Sequence, residues 1–330
     1  MKSYLRYEPA KQFGVISAPN CNIQYDYTGS LAFTGAIQEV NGWNLRQAAK
    51  VKQFSFSEPN YPFRTGGEAT VLQASPKSKP LLAVGYSKGT VRLFNYTNEV
   101  LVATLHAHRA SVSALCFDHE GVTLVSGGAD SDIVVWDLVT FTALCRLRGH
   151  KDVVTALKMV SLDNDCAAQL GSTRLLVSAS KDTLLKVWDV DTQVCVQTVV
   201  GHRCEVWALA ASSATLSSSS SASEVVLVTG AADNLLRGYR LRARQVQGQD
   251  GEGEILEYFG SVERGGEGSE KCAVLCFSAQ GDLLAAQSGG KAVELFKVRT
   301  PAEVKKKCKR RLKRKEDKEG EEGEEGAWKS

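Results

Sequence analysis

An all-β fold of repeated small antiparallel sheets is predicted by three observations. Three stretches end almost alike: GGADSDIVVWDLV, SASKDTLLKVWDV and GAADNLLRGYRLR. In the first two, Asp130 and Asp182 stand six residues before the pairs Trp136-Asp137 and Trp188-Asp189; in the third, Asp233 stands six before Tyr239. Each stretch has a His upstream (His108, His150 and His202), the last two preceded by Gly. Between these marks the chain reads as short apolar or alternating runs broken by Gly, Ala and Asp, the pattern of half-buried strands and turns.

A fixed order of His, Asp and Trp-Asp in blocks of roughly 40–50 residues is the signature of a WD-repeat β-propeller blade. Aligned on the residue six after the turn Asp, Trp136, Trp188 and Tyr239 fall into register. Phe94 in VGYSKGTVRLFNY and Phe296 in QSGGKAVELFKV fit the same place, with Lys88 and Gly290 in place of the Asp. Trp43 in QEVNGWNLR is a weaker first member. The aromatics recur after 51, 42, 52, 51 and 57 residues, which makes six repeats. One four-stranded blade cannot bury both of its faces; side-by-side packing in a ring does so and leaves only short edges.

The elements follow in order. LVSGGAD, LVSASKD and LVTGAAD are strands running into turns, and DIVVWDL and LLKVWDV are the strands that follow them. TALCRLRGH and VCVQTVVGH lead to the next block. Residues 161–174 are an insertion. The Ser-rich run 212–223 is low-complexity and expected to be disordered. Residues 245–270 are expected to form a Gly/Glu-rich disordered loop with room for a strand at Ile255–Phe259. The propeller is thus expected over residues 1–300, and a charged tail, helical or disordered, over 301–330.

Composition is that of a globular domain, 43% hydrophobic and 23% charged. The net charge of +3 is unevenly placed. Residues 305–318 hold ten Lys and Arg against Glu316 and Asp317, and five Glu follow within 319–325, leaving a near-neutral body. The basic run is Lys305, Lys306, Lys307, Lys309, Arg310, Arg311, Lys313, Arg314 and Lys315. So dense a run points to nuclear or nucleolar import, to RNA contact, or to both. No aromatic is interleaved, so contact through it would be sequence-blind and salt-dependent. The nine Cys are an odd number with no C-x-x-C spacing, which argues against a disulfide framework or a zinc site. Cys116, Cys145, Cys195 and Cys276 lie in apolar runs and are expected to pack as small hydrophobes. The first residues have no apolar signal core, and no apolar run reaches the ~18 residues of a membrane helix.

His, hydroxyl and Asp recur together: His108, Ser126, Asp130 with Trp136; His150, Ser178, Asp182 with Trp188; His202, Thr229, Asp233 with Tyr239. A hydrolase would use a Ser-His-Asp set once, with the serine on a G-x-S-x-G elbow. Here the set occurs three times and no such elbow is present, so the reading is structural. The Asp closes a turn and accepts from the imidazole, the imidazole meets the hydroxyl, and the hydroxyl accepts from the indole N–H. Removal of one member leaves the others unsatisfied at ~1–3 kcal/mol. Asp182→Ala is therefore expected to lower the melting temperature without removing any activity; an unchanged melting temperature would count against this role. Tyr239-Arg240 replaces Trp-Asp in the third set, which is expected to be incomplete. No phosphate-binding loop, H-E-x-x-H, kinase or dehydrogenase set occurs, and no enzyme activity, cofactor or metal is expected.

Particular segments go beyond the generic repeat: residues 180–210, 127–139, 146–157 and 82–94, and the opening YLRYEPAKQFGVIS at 4–17. Over residues 4–300 these resemble the N-terminal propeller of the WD-repeat protein three type, a subunit of the UTP-B module of the small-subunit processome. The basic run is similar to that family's charged insertion after the sixth repeat. The resemblance implies a nucleolar scaffold for pre-rRNA processing towards 18S rRNA. It implies other WD-repeat subunits of UTP-B, the U-three snoRNA and pre-rRNA as partners; from the lack of a long apolar run, no membrane is expected. It also implies two seven-bladed propellers and a helical assembly domain, whereas six repeats and the charged segment are present here. The ring is thus expected to be incomplete. The sequence is then a portion of a longer chain, the preferred reading, or the N-terminal strand and a partner complete the ring. The repeats alone also permit a cytosolic substrate adaptor or signalling scaffold.

Overall fold

The computed structural model describes residues 17–55, 67–76, 79–106, 108–161, 174–212, 225–241, 255–265, 270–278, 280–290 and 292–299, with 303–304, 306–307 and 309–310. The first blade is β1 (Ile23–Tyr25), β2 (Leu31–Ala36), β3 (Glu39–Asn44) and β4 (Ala49–Phe54). The second is β5 (Ala69–Ala74), β6 (Leu81–Tyr86), β7 (Thr90–Asn95) and β8 (Val100–His106). The third is β9 (Val112–Phe117), β10 (Thr123–Gly128), β11 (Ile133–Asp137) and β12 (Thr142–Leu147). The fourth is β13 (Val154–Ser161), β14 (Arg174–Ser180), β15 (Leu184–Asp189) and β16 (Val194–Val200). The fifth is β17 (Val206–Ser212), β18 (Val225–Ala231), β19 (Leu235–Leu241) and β20 (Leu256–Glu263). The sixth is β21 (Cys272–Phe277), β22 (Leu283–Ser288) and β23 (Val293–Lys297). Each blade is an antiparallel meander in chain order, and among the described residues these blades form an all-β, six-bladed propeller.

All six aligned aromatics stand on the third strand of their blade. In the five four-stranded blades the register against the fourth strand slips just before that aromatic, at Trp43, Phe94, Trp136, Trp188 and Tyr239. A bulge of this kind re-aims the side chain next to it and increases the local twist.

The hairpin from third to fourth strand explains the residue after each aromatic. Asn44, Asn95, Asp137 and Asp189 each accept, through side-chain Oδ1, the amide two residues on, at 2.9 Å. This is the Asx turn that Asn and Asp make with their own backbone. The residue entering the fourth strand is left-handed in the same four blades: Ala48, Glu99, Phe141 and Gln193. The fifth blade has Arg240 at the Asx position, and no short turn follows: the fourth strand begins only at Leu256. The strand allowed for at Ile255–Phe259 is present and longer: β20 occupies 256–263 and pairs along the whole of β19, which corrects the disorder expected over that part of 245–270. The Ser-rich run beyond Ser212, the insertion at 162–173 and the tail beyond Arg310 lie outside the described residues.

The core is five slabs between blades. Phe33, Phe54, Leu82 and Phe94 fill the first junction, and Leu93, Leu115 and Trp136 the second. Val135, Leu157 and Trp188 fill the third, Val187, Leu227 and Tyr239 the fourth, and Leu236, Leu275 and Leu284 the fifth. Close approach sets the spacing: a Cβ on Gly127 would lie 2.8 Å from Val154 Cγ1, and one on Gly230 2.6 Å from Cys272 Cβ. No comparable slab joins the sixth blade to the first among the described residues. Val274, Leu283, Val293 and Leu295 on one face of the sixth blade are exposed, as are Ile23 and Tyr25 on β1. Cys116 is buried and Cys145 and Cys195 are half-buried against the third slab, but Cys276 is exposed. The expectation for Cys276 is corrected for a plain reason: it shares the uncovered face with Ala285 and Leu295.

Candidate functional site: the repeated relays and the blade rim

The residues that sequence spacing brings together lie on three elements of one blade and the connection that enters it. In the third blade the indole Nε1–H of Trp136 donates to Ser126 Oγ at 3.0 Å, Ser126 meets His108 Nε2 at 3.0 Å, and His108 Nδ1 meets Asp130 at 2.9 Å. In the fourth, Trp188 donates to Ser178 at 2.8 Å, Ser178 meets His150 at 2.7 Å, and His150 meets Asp182 at 2.9 Å. The indole can only donate and the carboxylate can only accept, which sets the direction of the relay. The serine hydroxyl donates to Nε2, and Nδ1–H donates to the carboxylate, with both rings neutral. Burial, opposed by the neighbouring Asp, holds both imidazoles below their usual pKa. Burial works against ionisation of Asp130 and Asp182 too. The amides of Arg109 and Lys151, together with the imidazoles, outweigh it and keep both carboxyls below their usual range.

Each Asp thereby ties down the connection from the preceding blade: Asp130 accepts the amide of Arg109 and Asp182 that of Lys151, both at 3.0 Å. The Gly before His150 has a matching reason, since a Cβ there would lie 3.0 Å from Trp188 Cη2.

A pairing rule within the chain supports a structural role. Where the aromatic is Trp, a hydroxyl takes its N–H: Thr34 for Trp43 at 2.9 Å, Ser126 for Trp136 and Ser178 for Trp188. Where the aromatic is Phe94 or Phe296, with no N–H, the equivalent second-strand position is Val84 or Ala286. The side chains of His108 and His150 are fully buried, as are Ser126 and Ser178.

The third set is wired differently. His202 Nε2 meets Thr229 Oγ1 at 2.9 Å, but Nδ1 meets Arg237 Nη1 at 2.9 Å and not Asp233. Asp233 instead pairs with Arg237 at 2.8 Å. Arg237 stands where Val134 and Lys186 stand in the other blades, and its guanidinium comes between the carboxylate and the ring. A guanidinium only donates, so Nδ1 is the acceptor and Nε2–H donates to Thr229: the tautomer is reversed. Burial and the adjacent Arg237 charge push the His202 pKa down to about 4.

A second recurring device escapes motif reading. The first strand of the second to sixth blades has a bulge at Thr70, Ser113, Thr155, Trp207 and Ala273. Thr70 reaches Val112 O at 2.6 Å, Ser113 reaches Val154 O at 2.5 Å and Thr155 reaches Val206 O at 2.7 Å, each in the next blade. The second carbonyl near each hydroxyl lies in its own blade and is farther, at 3.1–3.2 Å, so the single O–H latches one blade to the next. Asn22 links the first blade to the second by bonding both backbone groups of Leu72.

Of the basic run, Lys306, Lys307, Lys309 and Arg310 are helical and exposed; Lys305, Arg311, Lys313, Arg314 and Lys315 lie outside the described residues. No group of three or more His, Cys, Asp or Glu among the described residues could hold a metal ion.

Residues 30–241 match the family described as the WDR3 first beta-propeller domain. U3 small nucleolar RNA-associated protein 12 of Saccharomyces cerevisiae is 30% identical over 64% of this chain and 22% of its own length. Transducin beta-like protein 3 of Rattus norvegicus is 31% identical over 71% of this chain and 28% of its own. The chain therefore spans about a quarter of these curated relatives. A chain in the crystal structure of the mitotic checkpoint complex aligns with a TM-score of 0.63 at 16% identity, over 84% of this chain and 75% of that one, a likeness of fold alone.

Proposed function

The chain belongs to the family of the WDR3 first β-propeller domain, and from that membership we propose that it serves ribosome biogenesis as a non-catalytic scaffold. The observation that carries this reading is the match over 30–241, joined to a yeast relative named for association with U3 small nucleolar RNA. The finer reading is a nucleolar subunit that helps hold the small-subunit processome together during 18S rRNA maturation. Its partners are other WD-repeat subunits of the UTP-B module, with the U-three snoRNA and pre-rRNA within reach of the basic run.

The chemistry supports a platform. The recurrent His, hydroxyl and Asp groups spend their hydrogen bonds on each other in sealed positions. The rims offer turns and connections held in fixed places by those same bonds. Lys305 to Lys315 supplies sequence-blind attraction to phosphate, and neutralising it reduces the salt dependence of RNA binding along with affinity.

The test is capture of the tagged chain from cells. Nucleolar location and enrichment of the U-three RNA support the proposal. Exclusion from nucleoli without that RNA would sink it. Recovery of a ubiquitin-ligase subunit without rRNA would assign the chain to a cytosolic adaptor instead.

A further inference from the structure

We propose that the rim of the fifth blade carries a binding site for an acidic peptide segment of a partner protein, centred on Trp207 and the two ammonium groups of Lys181 and Lys271. This inference stands apart from the ribosomal reading, since it rests on the blade geometry alone.

Trp207 breaks the pattern of its position. Its counterparts Thr70, Ser113 and Thr155 latch one blade to the next by donating to Val112, Val154 and Val206. The matching acceptor for the fifth blade is the carbonyl of Cys272, at the start of the next first strand. The indole makes no such bond, and its Nε1–H is buried with no partner among the described residues. The fifth blade thus forgoes a latch in exchange for a half-buried aromatic at the blade rim.

What surrounds the ring names the ligand. Lys181 Nζ lies 4.3 Å and Lys271 Nζ 4.1 Å from the ring centroid. Lys181 comes from the turn after β14 and Lys271 from just before β21, so three consecutive blades converge on one indole. Ammonium groups rest favourably on an aromatic face, yet two held on one ring repel each other. An arriving carboxylate relieves that repulsion. A Trp ringed by cations and partly desolvated is also the kind of residue that anchors interfaces.

An acidic peptide fits better than RNA. A base would stack on the ring only by displacing an ammonium group, and single-strand binding uses successive aromatics along a uniformly basic groove. Here Glu205 and Glu270 are exposed beside the site and would repel a continuous phosphate backbone. A peptide with spaced carboxylates can avoid them.

The experiment titrates a labelled peptide whose glutamates are spaced by neutral residues, and separately labelled oligouridylate, into the full chain and two variants. One is Lys181→Gln with Lys271→Gln; the other is Trp207→Thr, which installs the residue the second and fourth blades carry. Peptide affinity is expected to fall about tenfold or more in both variants, while Trp207→Thr melts no lower than the parent because the latch to Cys272 is restored. The lysine pair, at the surface, tests the site even if the tryptophan variant misfolds. Peptide affinity unchanged in both variants, or lost only when 305–315 is neutralised, overturns the proposal. So does oligouridylate binding that depends on Trp207 when peptide binding does not. Peptide binding that emerges only after deletion of 319–325 would assign the site to the chain's own acidic run, and likewise overturns it.

Discussion

Replacement of Trp188 by alanine is expected to lower the unfolding free energy by about 3–5 kcal/mol. The indole is 2% exposed and fills the slab between the third and fourth blades beside Leu157 and Val135. Its removal opens a cavity there and strips Ser178 of the N–H it accepts at 2.8 Å. Denaturant unfolding measures the loss. Trp188→Phe separates the two effects, because it keeps most of the packing and removes only the donor. Phe94 and Phe296 face Val84 and Ala286, with no hydroxyl, so the chain already contains the compensated form. The double variant Trp188→Phe with Ser178→Val is nevertheless expected to leave His150 Nε2 without its donor, and so to recover only part of the stability. A double-mutant cycle showing no coupling between positions 178 and 188 would contradict the relay.

Stability is expected to fall as pH drops from about 6.5 towards 4. His202 has its pKa lowered from 6.5 to about 4 in the folded chain, and His108 and His150 are lowered too. A depressed imidazole stays neutral in the fold while the unfolded chain takes up a proton. The unfolded state therefore binds more protons in this window, and stability rises with pH. The contribution is complete above the unfolded value and is lost as pH falls to the folded one. For His202 alone the span corresponds to roughly 3 kcal/mol. Asp130 and Asp182, depressed below 3.8, add a further loss only at still lower pH. Melting temperature against pH checks this, with His202→Gln expected to make the slope between 6.5 and 4 shallower. A flat profile from pH 7 to 5 would contradict the neutral, buried assignment of these rings.

Much of this architecture was legible in the residues, and the reason is repetition. Trp136, Trp188 and Tyr239 could be aligned because a turn Asp stands at fixed distance from each, and that spacing is set by one hairpin. The relay partners were legible for the same cause. His150 is distant along the chain from Ser178 and Asp182, but each has a counterpart at the same place in another block. What repetition does not mark stayed hidden. Thr70, Ser113 and Thr155 are lone hydroxyls in variable strands, visible as a set only once their bulges are seen. Arg237 sits in a position otherwise held by Val134 or Lys186, so nothing in the spacing announced that it would take Asp233 away from His202. The apolar start of β20 was legible at Ile255–Phe259, but its extension to Glu263 was obscured by the Gly- and Glu-rich residues that follow. The exposure of Cys276 depends on which blade face is covered, a property of the assembled ring and not of its own apolar run.

The central claim is that the spaced His, hydroxyl, Asp and Trp groups fasten the third and fourth blades to the connections that enter them. Native-state hydrogen exchange at the amides of Lys151 and Arg109 tests it most directly. Both amides lie on exposed connections yet donate to Asp182 and Asp130. They are expected to exchange as slowly as neighbouring strand amides in the parent chain, and Asp182→Ala is expected to release Lys151 while leaving Arg109 protected. Rapid exchange at both positions in the parent chain, or protection of Lys151 that survives Asp182→Ala, would contradict it.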